Sequence, residues 1–261
     1  HDPFPAPRQS YLENGIPEIL KIEEEKRALL KELQFNLNLA PVADISTNES
    51  DYIYYRTLGE NVNLTTDYIT QEVQSYYNNN FSCCLKHFPG YGNNTNTHED
   101  VAHDYRPIEQ FTNNDLVPFL KSINKKVPMI MFSHTIVHSM DEEYPSSLSE
   151  KIHNMLRNEY GYTGLIVTDS LSMGAITKYT KNISAAVLAV QAGNDMIVTS
   201  TFEKHIDELI EAVNKGEVDM KLIETAAKRV IAWKLQYLYA QENEHGMSTL
   251  NIVLIVILLV C

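Results

Sequence analysis

Five short apolar runs, each leading into polar residues and each separated from the next by a helix-like stretch, constrain this chain more than any other feature. They are FNLNLAPVADI (35–45), FSCCLKHF (81–88), VPMIMFSH (127–134), GLIVTDS (164–170) and DMIVTS (195–200). Near-continuous apolar runs of this length suit strands buried on both faces, as in a parallel sheet. Parallel neighbours need a crossover, and helical signals lie between the runs. The opening helix has Pro17 in its first turn and Ile19, Ile22, Leu29, Leu30 and Leu33 at helical spacing, with Lys26 interrupting that face. Further helices are predicted over 67–77, 115–123, 148–159 and 185–192. Two more close the pattern. One carries Phe202, Ile206, Leu209, Ile210 and Val213 on one face; the other starts at a cap, Asp219, and carries Ile223, Ala226, Val230 and Trp233. The alternation predicts an α/β fold.

The polar residues fall at one place in the pattern. Asp44, Lys86, His87, His134 and Asp169 all sit at the C-terminal ends of predicted strands. In a β/α barrel that edge is the active-site face, and in an open sheet it is the ligand crevice. The densest segment, KHFPGYGNNTNTHED (86–100), leaves its strand with a cation and an imidazole and turns through Pro89, Gly90 and Gly92. It matches neither GxxxxGK[ST] nor GxGxxG, so it is not a phosphate loop, and no GxSxG elbow occurs. His98 sits on the polar loop that follows. Asp169, after four apolar residues, either caps the next helix or does chemistry. His98 and His103 stand five apart, and His134 and His138 four apart. Neither pair forms HExxH or joins a cysteine cluster, so no metal and no cofactor is expected.

Composition narrows the partners. Lys plus Arg is 21 against 34 for Asp plus Glu, a formal charge of -13 that repels a phosphate backbone and argues against nucleic acid. Cys83 and Cys84 are expected as buried free thiols rather than a disulfide framework, a lean toward a reducing, cytoplasmic setting. From Leu250 to Cys261 the only polar residue is Asn251; this run is shorter than the roughly 20 residues a membrane helix needs. Residues 1–240 are therefore expected to form the domain. Residues 241–261 are set apart as a polar linker and an appended apolar tail, with membrane association through that tail the lesser expectation.

KHFPGYG followed by Thr97-His98, then a strand ending Ser133-His134, then TDSLSM resembles the family 3 glycoside hydrolases, closest to their β-N-acetylhexosaminidase branch. APVADI (40–45), Arg56 in YRTLG and AVQAGNDMIVTS (189–200) extend the resemblance over roughly residues 35–235. It implies a (β/α)8, TIM-barrel-like catalytic domain that is incomplete here, with about five β/α units present. It implies Asp169 as nucleophile and His98 as acid/base, with Asn96 at the position that orients His98. Arg56, Lys86 and His87 become ligands of the sugar hydroxyls, and His134 and Met173 also belong to the substrate site. The implied substrate is a terminal N-acetylglucosaminide. A retaining glycosidase needs an ionised carboxylate beside the anomeric carbon and a second group to protonate the leaving oxygen. Lys86 and His87 are expected to hold Asp169 charged, and an imidazole titrating near neutrality can donate and then accept a proton.

Two features depart from that family's pattern. Its acid/base is usually an Asp-x-His dyad, whereas here Asn96-Thr97-His98 lacks the negative charge. The strand that carries an Asp-Gln-Glu-Gly-Gly-like motif ahead of APV has no counterpart, so open sheet edges and an exposed core are expected. Both leave open a degenerate, non-catalytic carbohydrate-binding homologue.

Overall fold

The computed structural model describes residues 4–92, 101–180 and 183–244. Two helices lead in, α1 (Pro7–Asn14) and α2 (Ile16–Glu32), joined at Gly15. The apolar period of α2 buries Ile16, Ile19 and Ile22. Four parallel strands follow in the order β1 (Leu37–Asn38), β2 (Ser82–Phe88), β4 (Met129–Phe132) and β6 (Leu165–Thr168). Their crossovers are α3 (Val62–Asn78), α4 (Ile108–Gln110) continuing through a π turn into α5 (Leu116–Ile123), and α6 (Glu150–Asn154), which runs on as a π turn to Glu159. Asn61 caps α3, its side-chain oxygen accepting the N–H groups of Asn63 and Leu64 at 3.0 and 3.2 Å. The chain continues through α7 (Gly174–Thr180), α8 (Ala185–Ala192), α9 (Phe202–Asn214) and α10 (Met220–Glu244). A separate two-stranded parallel sheet joins β3 (Ala102–Asp104) to β5 (Thr135–Val137).

Alternation along the strands explains why the apolar runs are continuous. Cys83 and Leu85 of β2, Ile130 and Phe132 of β4, and Ile166 of β6 point outward into the core shared with Tyr68, Ile69, Val73 and Phe119 of the crossover helices. Cys84, Met129, Met131, Leu165 and Val167 point inward and pack with Met196, Val198, Val230 and Trp233. Both faces are covered, as strands of this composition require. The α10 helix meets the inner face through Trp233, whose indole N–H donates to Ser82 Oγ at 2.7 Å. Cys83 and Cys84 are fully buried free thiols, and burial pushes the Cys84 thiol up to about 12.

Helices α1 and α7 were not predicted, and four other places differ from the sequence expectation. The first run is a two-residue ladder plus a bridge from Val42 to Lys86, because Pro41 has no N–H and interrupts pairing between them. The last run is reduced to the bridge between Met196 and Val167, since the Asp195 carboxylate takes the Ile166 N–H at 2.9 Å at its start. The β3–β5 sheet was not anticipated at all. On α9, the face bearing Phe202, Ile206 and Ile210 lies in solvent, 58%, 51% and 56% exposed, and the helix packs through Leu209 and Ala212 instead. The tail from Leu250 lies outside the described residues; among those described, no helix is long and apolar enough to cross a membrane.

Candidate active site

The strand ends converge as their register dictates. On β6, Asp169 follows Val167 by two residues and so continues the inward face; on β2, Lys86 does the same after Cys84. Pairing of β2 with β4 then shifts between Lys86 and Phe88, leaving His87 without a partner on β4. Such a bulge re-aims a side chain, and here two consecutive residues serve one site. The Lys86–His87 peptide bond is cis.

Asp44 organises this end of the sheet. It is buried, and its Oδ2 receives His87 Nδ1 at 2.7 Å and the His87 backbone N–H at 3.2 Å, while Oδ1 accepts the Tyr91 N–H at 2.7 Å. A carboxylate can only accept, so Nδ1 carries the proton and Nε2 faces Asp169 Oδ2 across 3.8 Å. Asp169 is fixed from its own chain. Its N–H donates to Phe132 O at 3.1 Å, and its Oδ1 accepts the Ser170 N–H at 2.7 Å.

The electrostatics favour an ionised Asp169. Burial pushes its carboxyl up, but the imidazoles of His87 and His134, the Ser170 N–H and the Lys86 ammonium together hold it below the ordinary carboxylate range. Lys86 is itself lowered, by burial first and by the Arg56 guanidinium second, against the raising influence of Asp169 and Asp44. Arg56 ends the 3-10 turn Tyr54–Arg56 and is exposed. His134 is fully buried: Nδ1 lies 2.7 Å from Ser147 Oγ and Nε2 2.9 Å from the Ser170 carbonyl. That carbonyl only accepts, so Nε2 is the protonated nitrogen. Met173 is buried, with its N–H on Ser170 O at 3.0 Å.

The structure thus brings together Lys86, His87, His134 and Asp169, with Arg56 near enough to act on Lys86 by charge and Met173 in the turn behind Asp169. Asn96 and His98 lie outside the described residues. Asp44 was legible as a strand-end carboxylate but not as the orienter of His87, because that role depends on which strand lies beside β2. A second cluster was missed altogether. Arg106 forks onto Asp104 at 2.8–3.0 Å and onto Asp115 at 3.0–3.1 Å, clamping the segment beside Gly90 and Gly92. Only its charge alternation, Asp104-x-Arg106, could have suggested it. Among the described residues no group of three or more His, Cys, Asp or Glu side chains could hold a metal ion.

Residues 12–233 match the family described as "Glycosyl hydrolase family 3 N terminal domain". The chain belongs to this family. Two curated relatives are an uncharacterized secreted glycosyl hydrolase of Arthroderma benhamiae, 31% identical over 216 residues, and β-hexosaminidase A of Pseudoalteromonas piscicida, 28% identical over 236. Each alignment takes in 78% of this chain, but 61% of the first relative and 38% of the second, so this chain spans only part of their length. Among solved structures, a family 3 β-N-acetylglucosaminidase from Paenibacillus sp. superposes with a TM-score of 0.81 at 27% identity, covering 90% of this chain and 45% of that one. The parallel sheet with its crossover helices is accordingly an incomplete TIM-barrel-like α/β domain of family 3.

Proposed function

We propose that this family 3 domain belongs to a retaining glycosidase acting on terminal β-linked N-acetylhexosamine. The observation that carries the reading is Asp169: a carboxylate at a strand end, held below its ordinary range by His87, His134, Ser170 and Lys86 although burial opposes it. In the first step its carboxylate bonds to the anomeric carbon as the glycosidic C–O bond breaks, and His98 gives its proton to the leaving oxygen. In the second, His98 takes a proton from water, which displaces the Asp169 ester with net retention. Because Ser170 holds Oδ1, Oδ2 is the oxygen assigned to attack. Asn96 is assigned the part of the residue that orients His98. His87, Lys86 and Arg56 bind sugar hydroxyls, with Asp44 keeping the His87 tautomer. His134, both of whose ring nitrogens are engaged by Ser147 and Ser170, acts as a positioning residue for the Asp169 turn, and Met173 supplies an apolar wall.

The test is turnover of a para-nitrophenyl N-acetyl-β-glucosaminide by the full chain, with the anomer of the first product followed by NMR. Asp169→Asn is expected to lose about 10³-fold or more in kcat while keeping its fold, and the first product to be the β anomer. Unchanged turnover in the variant, or an α product, overturns the assignment. Asn96 favours one other reading, a non-catalytic carbohydrate binder, because a neutral partner cannot stabilise an imidazolium. Saturable binding of N-acetylglucosamine by calorimetry with no turnover in the parent chain would decide for it.

A further inference from the structure

Two imidazoles that are far apart in the sequence meet on the small β3–β5 sheet. His103 is the middle residue of β3, and His138 directly follows β5. The strands run parallel with His103 opposite Ile136 and Asp104 opposite Val137, and the His138 N–H donates to Asp104 O at 2.9 Å. His138 stands two residues beyond Ile136, so it shares one face of the small sheet with His103. There His103 Nδ1 and His138 Nε2 lie 3.0 Å apart. Tyr105, two residues past His103, covers the His138 ring with centroids 4.1 Å apart and planes 14° from parallel. His103 and Tyr105 are exposed and His138 half-buried, so the nitrogens are within reach of solvent.

We propose that His103 and His138 form a two-imidazole chelate for a divalent transition-metal ion, with water completing its coordination. A metal–nitrogen distance of about 2.0–2.1 Å places two ligands about 2.9 Å apart at a right angle and about 3.4 Å apart in a tetrahedron. The 3.0 Å spacing already falls in that interval. The β3–β5 ladder fixes both backbones, and the Tyr105 stack restricts the His138 ring, so little ordering remains for the ion to impose. In the neutral pair one nitrogen donates to the other. On binding, the donor ring shifts its proton to its second nitrogen, both lone pairs turn to the metal, and net protonation does not change. Imidazole ligands and the Irving–Williams order put copper(II) first among candidate ions. The overall charge of -13 favours any cation.

The experiment is calorimetric titration of the full chain with copper(II) chloride near pH 7.5 in a non-coordinating buffer, followed by electron paramagnetic resonance of the one-equivalent sample. One site with hyperfine coupling from two nitrogens is expected. His103→Gln and His138→Gln are each expected to weaken it at least tenfold, the double variant no further than either, and Asp169→Asn not at all. Other copper-binding groups contribute equally to parent and variants and cancel in the comparison. Circular dichroism confirms that each variant is folded. Unaltered affinity and unaltered nitrogen coupling in folded single variants overturn the proposal, as does weakening by Asp169→Asn.

Discussion

Asp115 and His153 are both buried, yet burial moves their protons in opposite directions, and pH can separate them. Burial pushes the Asp115 carboxyl up to about 6 although Arg106 grips both of its oxygens. The folded state therefore holds this proton when the unfolded chain has lost it, and stability falls as pH rises from about 4 to about 6. Burial pushes His153, packed on Phe132, down to about 4. Here the unfolded chain takes the proton first, so stability rises with pH from about 4 to about 6.5. The two slopes oppose one another. Asp115→Asn should leave a steeper rise across this window, and His153→Gln should turn the trend toward a fall. Urea midpoints at three pH values across it check both; three parallel profiles would refute the assignment.

At the scale of elements, the glycines after β2 carry a steric demand that Gly216 does not. Gly90 has φ 133°, and a Cβ there would sit 2.5 Å from Asp115 Cβ; Gly216 has φ 75° with open space around it. Gly90→Ala is expected to cost about 3 kcal/mol or more, a Tm drop of at least ~6 °C, against about 1 kcal/mol for Gly216→Ala. Equal shifts in thermal melts would show that backbone conformation alone decides. The same elements mark what was readable in advance. Runs such as SCCLKHF and LIVTDS read as strands because both faces are buried, and their last residues named Lys86, His87 and Asp169. The three-residue strands β3 and β5 carry too few apolar positions to signal themselves. Linear spacing pairs His103 with His98 and His138 with His134, whereas parallel register puts His138 on the same face as His103, 3.0 Å away. The Asp44–His87 bond is likewise a fact of strand neighbourhood. The stripe on α9 was readable as amphipathic, but periodicity says which residues share a face and not whether anything covers it.

For the molecule as a whole, the sheet order β1-β2-β4-β6 follows chain order, and Met196 extends it on the same side. Among the described residues, α10 returns to the start of β2 through a bond that joins residues 151 positions apart. Trp233→Ala removes that bond and part of the inner cover. Because Trp233 is half-buried, about 2–3 kcal/mol is expected, read as a lower denaturant midpoint at unchanged spectroscopic end states. A change under 0.5 kcal/mol would mean that α10 merely rests on the sheet. The return of α10 also sets a timetable for synthesis. Each βα unit leaving the ribosome finds its neighbour already in place and can dock at once. Cys84, Met131 and Val167, however, lack part of their inner cover until Val230 and Trp233 of α10 have emerged. The nascent chain therefore spends its longest vulnerable interval with a half-built sheet whose inner surface is greasy, and that is the interval in which a holding chaperone matters most to its yield.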